Sequence, residues 1–221
     1  MLFGFKKVRE KKVALCIDDI PNSTFDYFGN IKVPLTLFVS GGLNGKISYK
    51  KEMFNITDLL DFRDNRQSLE IGCHTYSHND INTCSNAEFL KDCSKNRDFL
   101  KEYMDINETG FSFPRGRWSF ILLLRLAKNY QYLRTTRNFI LNRICFRYFL
   151  PGIPLYSSSV KQLCEKIALN HSVNNAWLII YTHDICENPS QFGATPEEFM
   201  KVIFSLRESG FEFVTLNEML R

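Results

Sequence analysis

K-V-A-L-C-I-D-D, residues 12–19, is an unbroken apolar run that ends on two adjacent carboxylates, Asp18 and Asp19. Val13 to Ile17 do not alternate with polar residues, so the run reads as a strand buried on both faces. Strands of that kind belong to parallel sheets covered by helices. Similar runs recur as P-L-T-L-F-V (34–39), S-L-E-I-G-C (68–73), G-F-S-F (110–113), Q-Y-L-R-T (131–135), W-L-I-I-Y-T (177–182) and F-E-F-V-T (211–215), with a weaker R-Y-F-L at 147–150. Helical periodicity fills the gaps at about 52–63, 86–104, 117–129, 160–170 and 196–209. Thr195-Pro196-Glu197-Glu198 supplies an N-cap, an N1 proline and an acidic first turn, and Gly210 stops the same helix. Seven or eight such units predict one α/β domain over 1–221, a closed or nearly closed (β/α) barrel of parallel strands. No G-x-G-x-x-G follows the first strand and no P-loop is present, which removes the main support for dinucleotide and nucleoside-triphosphate chemistry.

The bulk numbers agree with one soluble domain. Of 221 residues, 44% are hydrophobic and 24% charged, and a net charge of +4 does not argue for a nucleic-acid partner. Seven cysteines form an odd count without a C-x-x-C pair. Cys16, Cys73 and Cys145 lie inside apolar runs, as small buried hydrophobes do in a reducing compartment. A disulfide framework and a cysteine zinc site are therefore not expected. M-L-F-G-F-K-K-V-R-E-K-K has no apolar core of a signal peptide, and F-I-L-L-L (120–124) stops at Arg125, far short of a membrane span. A cytoplasmic protein is expected, at the inner face of the membrane if it meets lipid at all; composition leaves its oligomeric state open.

Active sites of β/α barrels lie at the carboxyl ends of the strands. Those positions hold few polar residues here. The first strand ends in Asp18-Asp19, the third in His74 with His78 four residues on, the fourth runs into Pro114-Arg115-Gly116-Arg117-Trp118, and W-L-I-I-Y-T ends in His183-Asp184. Three of the four histidines and two carboxylates thus share one rim. Two imidazoles one helical turn apart and one carboxylate can face a divalent metal and leave positions open to water and substrate. Adjacent carboxylates point to different sides, so one of Asp18 and Asp19 would bind metal and the other act as a base. His183 could protonate a leaving amine. Tyr76, between the two histidines, either lines the pocket or packs.

This ordered set resembles the polysaccharide deacetylases, carbohydrate esterase family four, also called the chitooligosaccharide deacetylase homology domain. C-I-D-D at 16–19 resembles the family's first motif, and His74-Thr75-Tyr76-Ser77-His78, preceded by E-I-G, its second, H-[ST]-x-x-H. V-P-L-T-L-F-V (33–39), I-I-Y-T-H-D (179–184) and F-V-T-L-N-E (213–218) match other family strands, so the likeness covers most of the chain. It implies a distorted (β/α) barrel that hydrolyses N-acetyl or O-acetyl groups on sugars. It also implies a metal held by Asp19, His74 and His78, zinc first, with cobalt, nickel or manganese as alternatives. Asp18 would be the general base, His183 the general acid, and the backbone N–H of Arg115 an oxyanion donor beside Pro114, with Pro114, Trp118 and Tyr76 at the substrate. Three features depart from the pattern, one of them Arg115 where an aromatic usually follows the proline. The family's base-steadying arginine, two residues before the proline, is Ser112, and no acidic fourth motif stands around Leu133-Arg134-Thr135-Thr136-Arg137.

Thr109 to Cys164 contains no Asp or Glu but nine Lys or Arg residues. Such a field is either a chance asymmetry of one face, its basics partly paired to carboxylates elsewhere, or a field for a sugar linked through phosphate, as in a nucleotide sugar or a lipid-linked sugar of cell-surface glycan assembly. The aromatic residues between these basics also suit peripheral contact with an anionic membrane. Two other functions share the same residues: an amidase acting on a non-sugar amide or cyclic ureide, and a catalytically weak glycan-binding protein that retains the metal.

Overall fold

The computed structural model describes residues 4–29, 31–107 and 109–221. Seven of the apolar runs, with Ile153–Pro154, form eight strands: β1 (Lys11–Asp18), β2 (Leu35–Val39), β3 (Leu69–Cys73), β4 (Phe111–Ser112), β5 (Leu133–Arg134), β6 (Ile153–Pro154), β7 (Ala176–Thr182) and β8 (Glu212–Phe213). They lie in the order β6-β7-β1-β2-β3-β4-β5 with every pairing parallel, and β8 adds beside β1. β1 organises the sheet. It pairs with β7 from Lys11↔Ala176 to Ile17↔Thr182, while its other edge meets β8 at Lys12 and Val13 and β2 at Cys16 to Asp18. The sheet curls into a half-barrel, and Leu150 makes a parallel bridge to Arg134 of β5 just ahead of β6.

Period-two alternation divides the strand residues between two cores. Val13, Leu15, Ile17, Leu35 and Leu37 face outward and pack with helix residues such as Phe89, Leu163 and Phe199. Ala14, Cys16, Phe38, Ile179 and Tyr181 face inward and pack with Tyr132 and Leu216. The helices are α1 (Ser23–Phe28), α2 (Ile56–Asp64), α3 (Asn86–Met104), α4 (Phe120–Leu126), α5 (Val160–Leu169), α6 (Pro196–Glu208) and α7 (Leu216–Met219). Ser85/Glu88, Thr195/Glu198 and Thr215/Glu218 form reciprocal capping boxes at α3, α6 and α7. Each such cap contributes about 1 kcal/mol by satisfying amide donors that the first turn leaves free.

The differences from the sequence reading have local causes. R-Y-F-L supplies only the Leu150 bridge, and the strand of that unit is Ile153–Pro154. The helix expected from residue 117 begins at Phe120, because Pro114–Gly116 form a 3-10 turn and Ser119 caps α4 through Leu122 N–H. The helix expected from 52 begins at Ile56, since Lys51–Glu52 pair with Ile47–Ser48 in a small antiparallel ribbon. A second ribbon, Phe5–Lys7 with Ile144–Phe146, lies at the amino-terminal end of the barrel. The seven cysteines are free. Among the described residues, no helix is long and apolar enough to cross a membrane.

Candidate metal centre and active site

Asp18 closes β1 and Asp19 follows it with φ +62°. That turn into the left-handed region sends the two neighbouring carboxylates to different partners. Asp19 faces the histidines: its Oδ2 is 3.5 Å from His78 Nε2 and 4.0 Å from His183 Nε2, and its Oδ1 is 3.9 Å from His74 Nε2. His78 and Arg115 also have positive φ, +52° and +55°. Left-handed backbone at non-glycine residues costs about 1–3 kcal/mol each and gathers where a site over-determines the chain.

H-T-Y-S-H is therefore a loop and not the helical turn its spacing suggested. Asp92 of α3 holds it, accepting from Tyr76 N–H at 3.0 Å, Ser77 N–H at 2.9 Å and the Ser77 hydroxyl at 2.9 Å. The His74 Nδ1 lies 2.8 Å from the Ser112 carbonyl oxygen, which places the Nδ1 proton there and leaves Nε2 free as a ligand. The His74 and His78 rings stand 5.1 Å apart.

The chemistry of this donor set fits a divalent cation. Both Asp19 oxygens and His78 Nε2 are buried with no hydrogen-bond partner. One ligand atom each from Asp19, His74 and His78 lie within 4.8 Å of one another. Burial and then the charge of Asp18 push the Asp19 carboxyl up to about 8. Burial, with Arg134 nearby, pushes His74 down to about 4, and burial with the neighbouring imidazoles pushes His78 down to about 3. At pH 7 the imidazoles are thus neutral, whereas Asp19 keeps its proton until a cation displaces it. Binding of Zn²⁺ at pH 7 is expected to release about one proton. Titration calorimetry in buffers of different ionisation enthalpy measures this; a value of zero would contradict the site as described.

Asp18 has a different partner. Arg134, wholly buried at the end of β5, donates through Nη2 to Asp18 Oδ1 at 2.6 Å and Oδ2 at 2.5 Å, and also to the Ser112 hydroxyl. Its guanidinium stands between the rings of Phe38 and Tyr181, 5.1 and 4.7 Å from their centroids. Burial opposes ionisation of Asp18, but the charge and hydrogen bond of Arg134 outweigh it and hold the carboxyl below its ordinary value. An arginine thus reaches Asp18 from the next strand and not from residue 112: Ser112 of β4 and Arg134 of β5 are register partners.

A cavity of 480 Å³ opens above these groups. Asp18, His74, His78 and His183 form its polar floor, Tyr49, Tyr156 and Phe192 its aromatic walls, and Arg115 and Arg117 its charged rim. His183 is held by its amide on Phe192 O at 3.1 Å, and its Nδ1 is buried without a partner. Asp184 fixes the following loop by accepting from the Ser190 amide at 2.8 Å and hydroxyl at 2.6 Å. Gly116, at φ +65°, carries the rim past Thr136, whose Oγ1 would stand 1.9 Å from a Cβ there. Only glycine fits that crossing.

Two of the sequence-derived substrate residues stand apart from this cavity. Tyr76 packs on Phe99 with Lys95 Nζ 3.8 Å from its ring centre, because Asp92 turns the loop toward α3. Trp118 stands edge-on to Phe149 and lines the adjoining groove with Arg117, Thr136 and Arg137. Pro114 is buried under the turn that carries Arg115. Arg134, Tyr156 and Phe192 escape the sequence reading; the lone arginine inside the apolar-flanked Y-L-R-T was the one available signal.

The model of the family described as polysaccharide deacetylase matches residues 5–133. Several solved structures share the fold. The chitin deacetylase from the fungal pathogen Colletotrichum lindemuthianum is 19% identical, with 96% of this chain and 89% of that chain covered at a TM-score of 0.64. The Xyl-CE4 domain of a multidomain xylanase from the hindgut metagenome of Trinervitermes trinervoides is 18% identical, with 96% and 90% covered at 0.63. The peptidoglycan deacetylase PdaC from Bacillus subtilis is 18% identical, with 96% and 90% covered at 0.57. No curated protein matches the chain.

Proposed function

The chain belongs to the polysaccharide deacetylase family, and on that premise we propose that it removes an acetyl group, N-linked before O-linked, from a sugar with the help of a divalent metal. The observation that carries this reading is the pairing of two buried carboxylates with opposite partners: Asp19 unpartnered among imidazoles, Asp18 clamped by Arg134. Asp19, His74 and His78 would hold the ion, zinc first among the candidates. Bound there, it would supply polarisation of the acetyl carbonyl and a lowered pKa for the attacking water.

The chain's own residues would do the rest. Asp18 is ionised at neutral pH and lines the cavity, so it can take the proton from water. His183 faces Asp19 from β7, and burial lowers its pKa, which makes its protonated form a stronger acid toward the leaving nitrogen. Arg115, held in its left-handed turn, is placed to offer its backbone N–H to the developing oxyanion. Tyr156 and Phe192 wall the side of the cavity next to His183 and would exclude water from the acetyl group.

Arg117 and Arg137, on the rim and in the adjoining groove, favour a sugar linked through phosphate. Arg117 is already paired with Asp80 at 2.5 Å, so Arg137 is the freer charge. Arg137→Gln is expected to raise KM for a phosphate-linked N-acetyl sugar about threefold, the worth of an exposed charge pair, and to leave kcat and an uncharged chitooligosaccharide unchanged. Equal effects on both substrates would remove the phosphate from the reading. Phe120, Ile121 and Leu124 of α4 are 54–69% exposed beside Arg125, which supports peripheral contact with an anionic membrane. The whole proposal is tested by acetate release from N-acetylated oligosaccharides, sugar nucleotides and lipid-linked sugars with metal added; release from none of them would end it.

A further inference from the structure

Opposite the metal centre, the amino-terminal end of the barrel holds a second cavity of 640 Å³. Lys12 and Trp177, register partners at the start of β1 and β7, form its floor, whereas Asp18 and His183 follow from the far ends of the same two strands. Six residues of extended strand separate the two cavities by about 20 Å. The wall is basic: Lys6, Lys7, Arg9, Lys12, Arg147 and Arg221 line it beside a single acidic side chain, Glu10. Lys12 is paired with Glu10 at 3.2 Å, and among the described residues the other five make no ion pair. Two hydrogen-bond donors of its lining residues, covered beneath the surface, are also without a partner. Trp177 is 6% exposed, and its Nε1 is buried without a partner, as is the Nε of Arg147.

We propose that this cavity binds a soluble, diphosphate-bearing metabolite of nucleotide size, a site separate from the active site. The uncompensated cations call for an anion. A single phosphate would leave most of the volume empty, while the cavity matches the size of ordinary small-molecule sites. Phe5 and Met219, also in the lining, give the non-phosphate portion an apolar wall. The concavity favours a soluble ligand, because a flat headgroup layer cannot follow the wall down to Lys12 on the floor.

Calorimetry and tryptophan fluorescence with inorganic pyrophosphate and with uridine diphosphate test this on the full chain. Both probes are expected to bind, the nucleotide tighter, with affinity falling at least tenfold from 50 to 500 mM salt. Arg147→Met and Trp177→Phe should each weaken binding at least tenfold, and Trp118→Phe should keep the fluorescence response. Lys7→Met and Arg221→Met, at exposed positions that cannot unfold the core, should each weaken it about threefold or more. The proposal is overturned if neither probe binds, or if binding survives these four substitutions and is lost in Arg115→Gln with Arg117→Gln. Binding that depends on Arg147 and Trp177 but occurs only on phosphatidylglycerol vesicles would overturn it equally.

Discussion

Replacing Arg134 by methionine is expected to lower kcat/KM about 10²–10³-fold, the share of rate ascribed to a positioned general base, with metal stoichiometry unchanged. The cause is electrostatic. Arg134 is the charge that outweighs burial at Asp18, and without it a carboxylate that is 4% exposed would stand beside Asp19 with no cation. Asp18 would then take up a proton, and the acidic limb of the pH–rate profile would move to higher pH. Stability follows with the same sign. The folded-state pKa of Asp18 lies below the 3.8 of the free side chain, so its contribution is present above 3.8 and is lost as pH falls through the folded value. Methionine removes that contribution, and breaking a buried ion pair from one side costs about 3–5 kcal/mol. Denaturant melts at pH 7 measure the loss. Because Ser112 and Arg134 are register partners, Ser112→Arg combined with Arg134→Ser is expected to recover at least tenfold of the rate. A variant that is destabilised but keeps its wild-type pH profile would show Arg134 to be a packing residue only.

Asp19→Asn is expected to have the opposite effect on stability and an equally large one on function. Metal binding should fall below detection, since the ligand set loses its only anion. The metal-free variant should nevertheless be more stable than the metal-free parent. Asp19 carries two buried unpartnered oxygens next to a second carboxylate. Its raised folded pKa means that its contribution is present below 3.8 and is lost as pH rises through about 8. Asparagine removes the titration, so the gain should vanish near pH 4 and reach about 2–3 kcal/mol above pH 8, the cost of a buried unsatisfied group. In a domain of this size that corresponds to roughly 5–10 °C in Tm. Thermal melts across this range, with chelator present, read it directly; a Tm lower than the parent's at pH 8.5 would refute the account of Asp19. Residues kept at a cost to stability are those that a site needs.

Much of this arrangement was legible from residues alone, for a physical reason. A strand buried on both faces must be apolar throughout, so β1, β2, β3 and β7 stand out as runs, and their polar ends are then conspicuous. Asp18, Asp19, His74, His78 and His183 stand out in that way; the structure puts Asp18, His74, His78 and His183 in one cavity wall and Asp19 against the three imidazoles. Arg134 was not, because its role depends on curvature. The sheet curls until β5 faces the end of β1, bringing together residues 116 positions apart in the chain. Sequence spacing carries no record of that curl. The same limit explains Tyr76, placed between two ligands in sequence but turned to α3 by the side chain of Asp92. Short strands such as Ile153–Pro154 are set by pairing with β7 rather than by their own pattern, whereas R-Y-F-L has the pattern and lacks the partner strand.

The most direct test of the central claim is acetate release from N-acetylated sugars by metal-loaded protein, measured beside metal content, for the parent chain and Asp18→Asn. One equivalent of metal in both, with release cut about 10³-fold in the variant and abolished in the parent by chelation, is the expected result. Release that persists in Asp18→Asn, or that is indifferent to chelation, would contradict the assignment of Asp18 as base and of Asp19, His74 and His78 as the metal face.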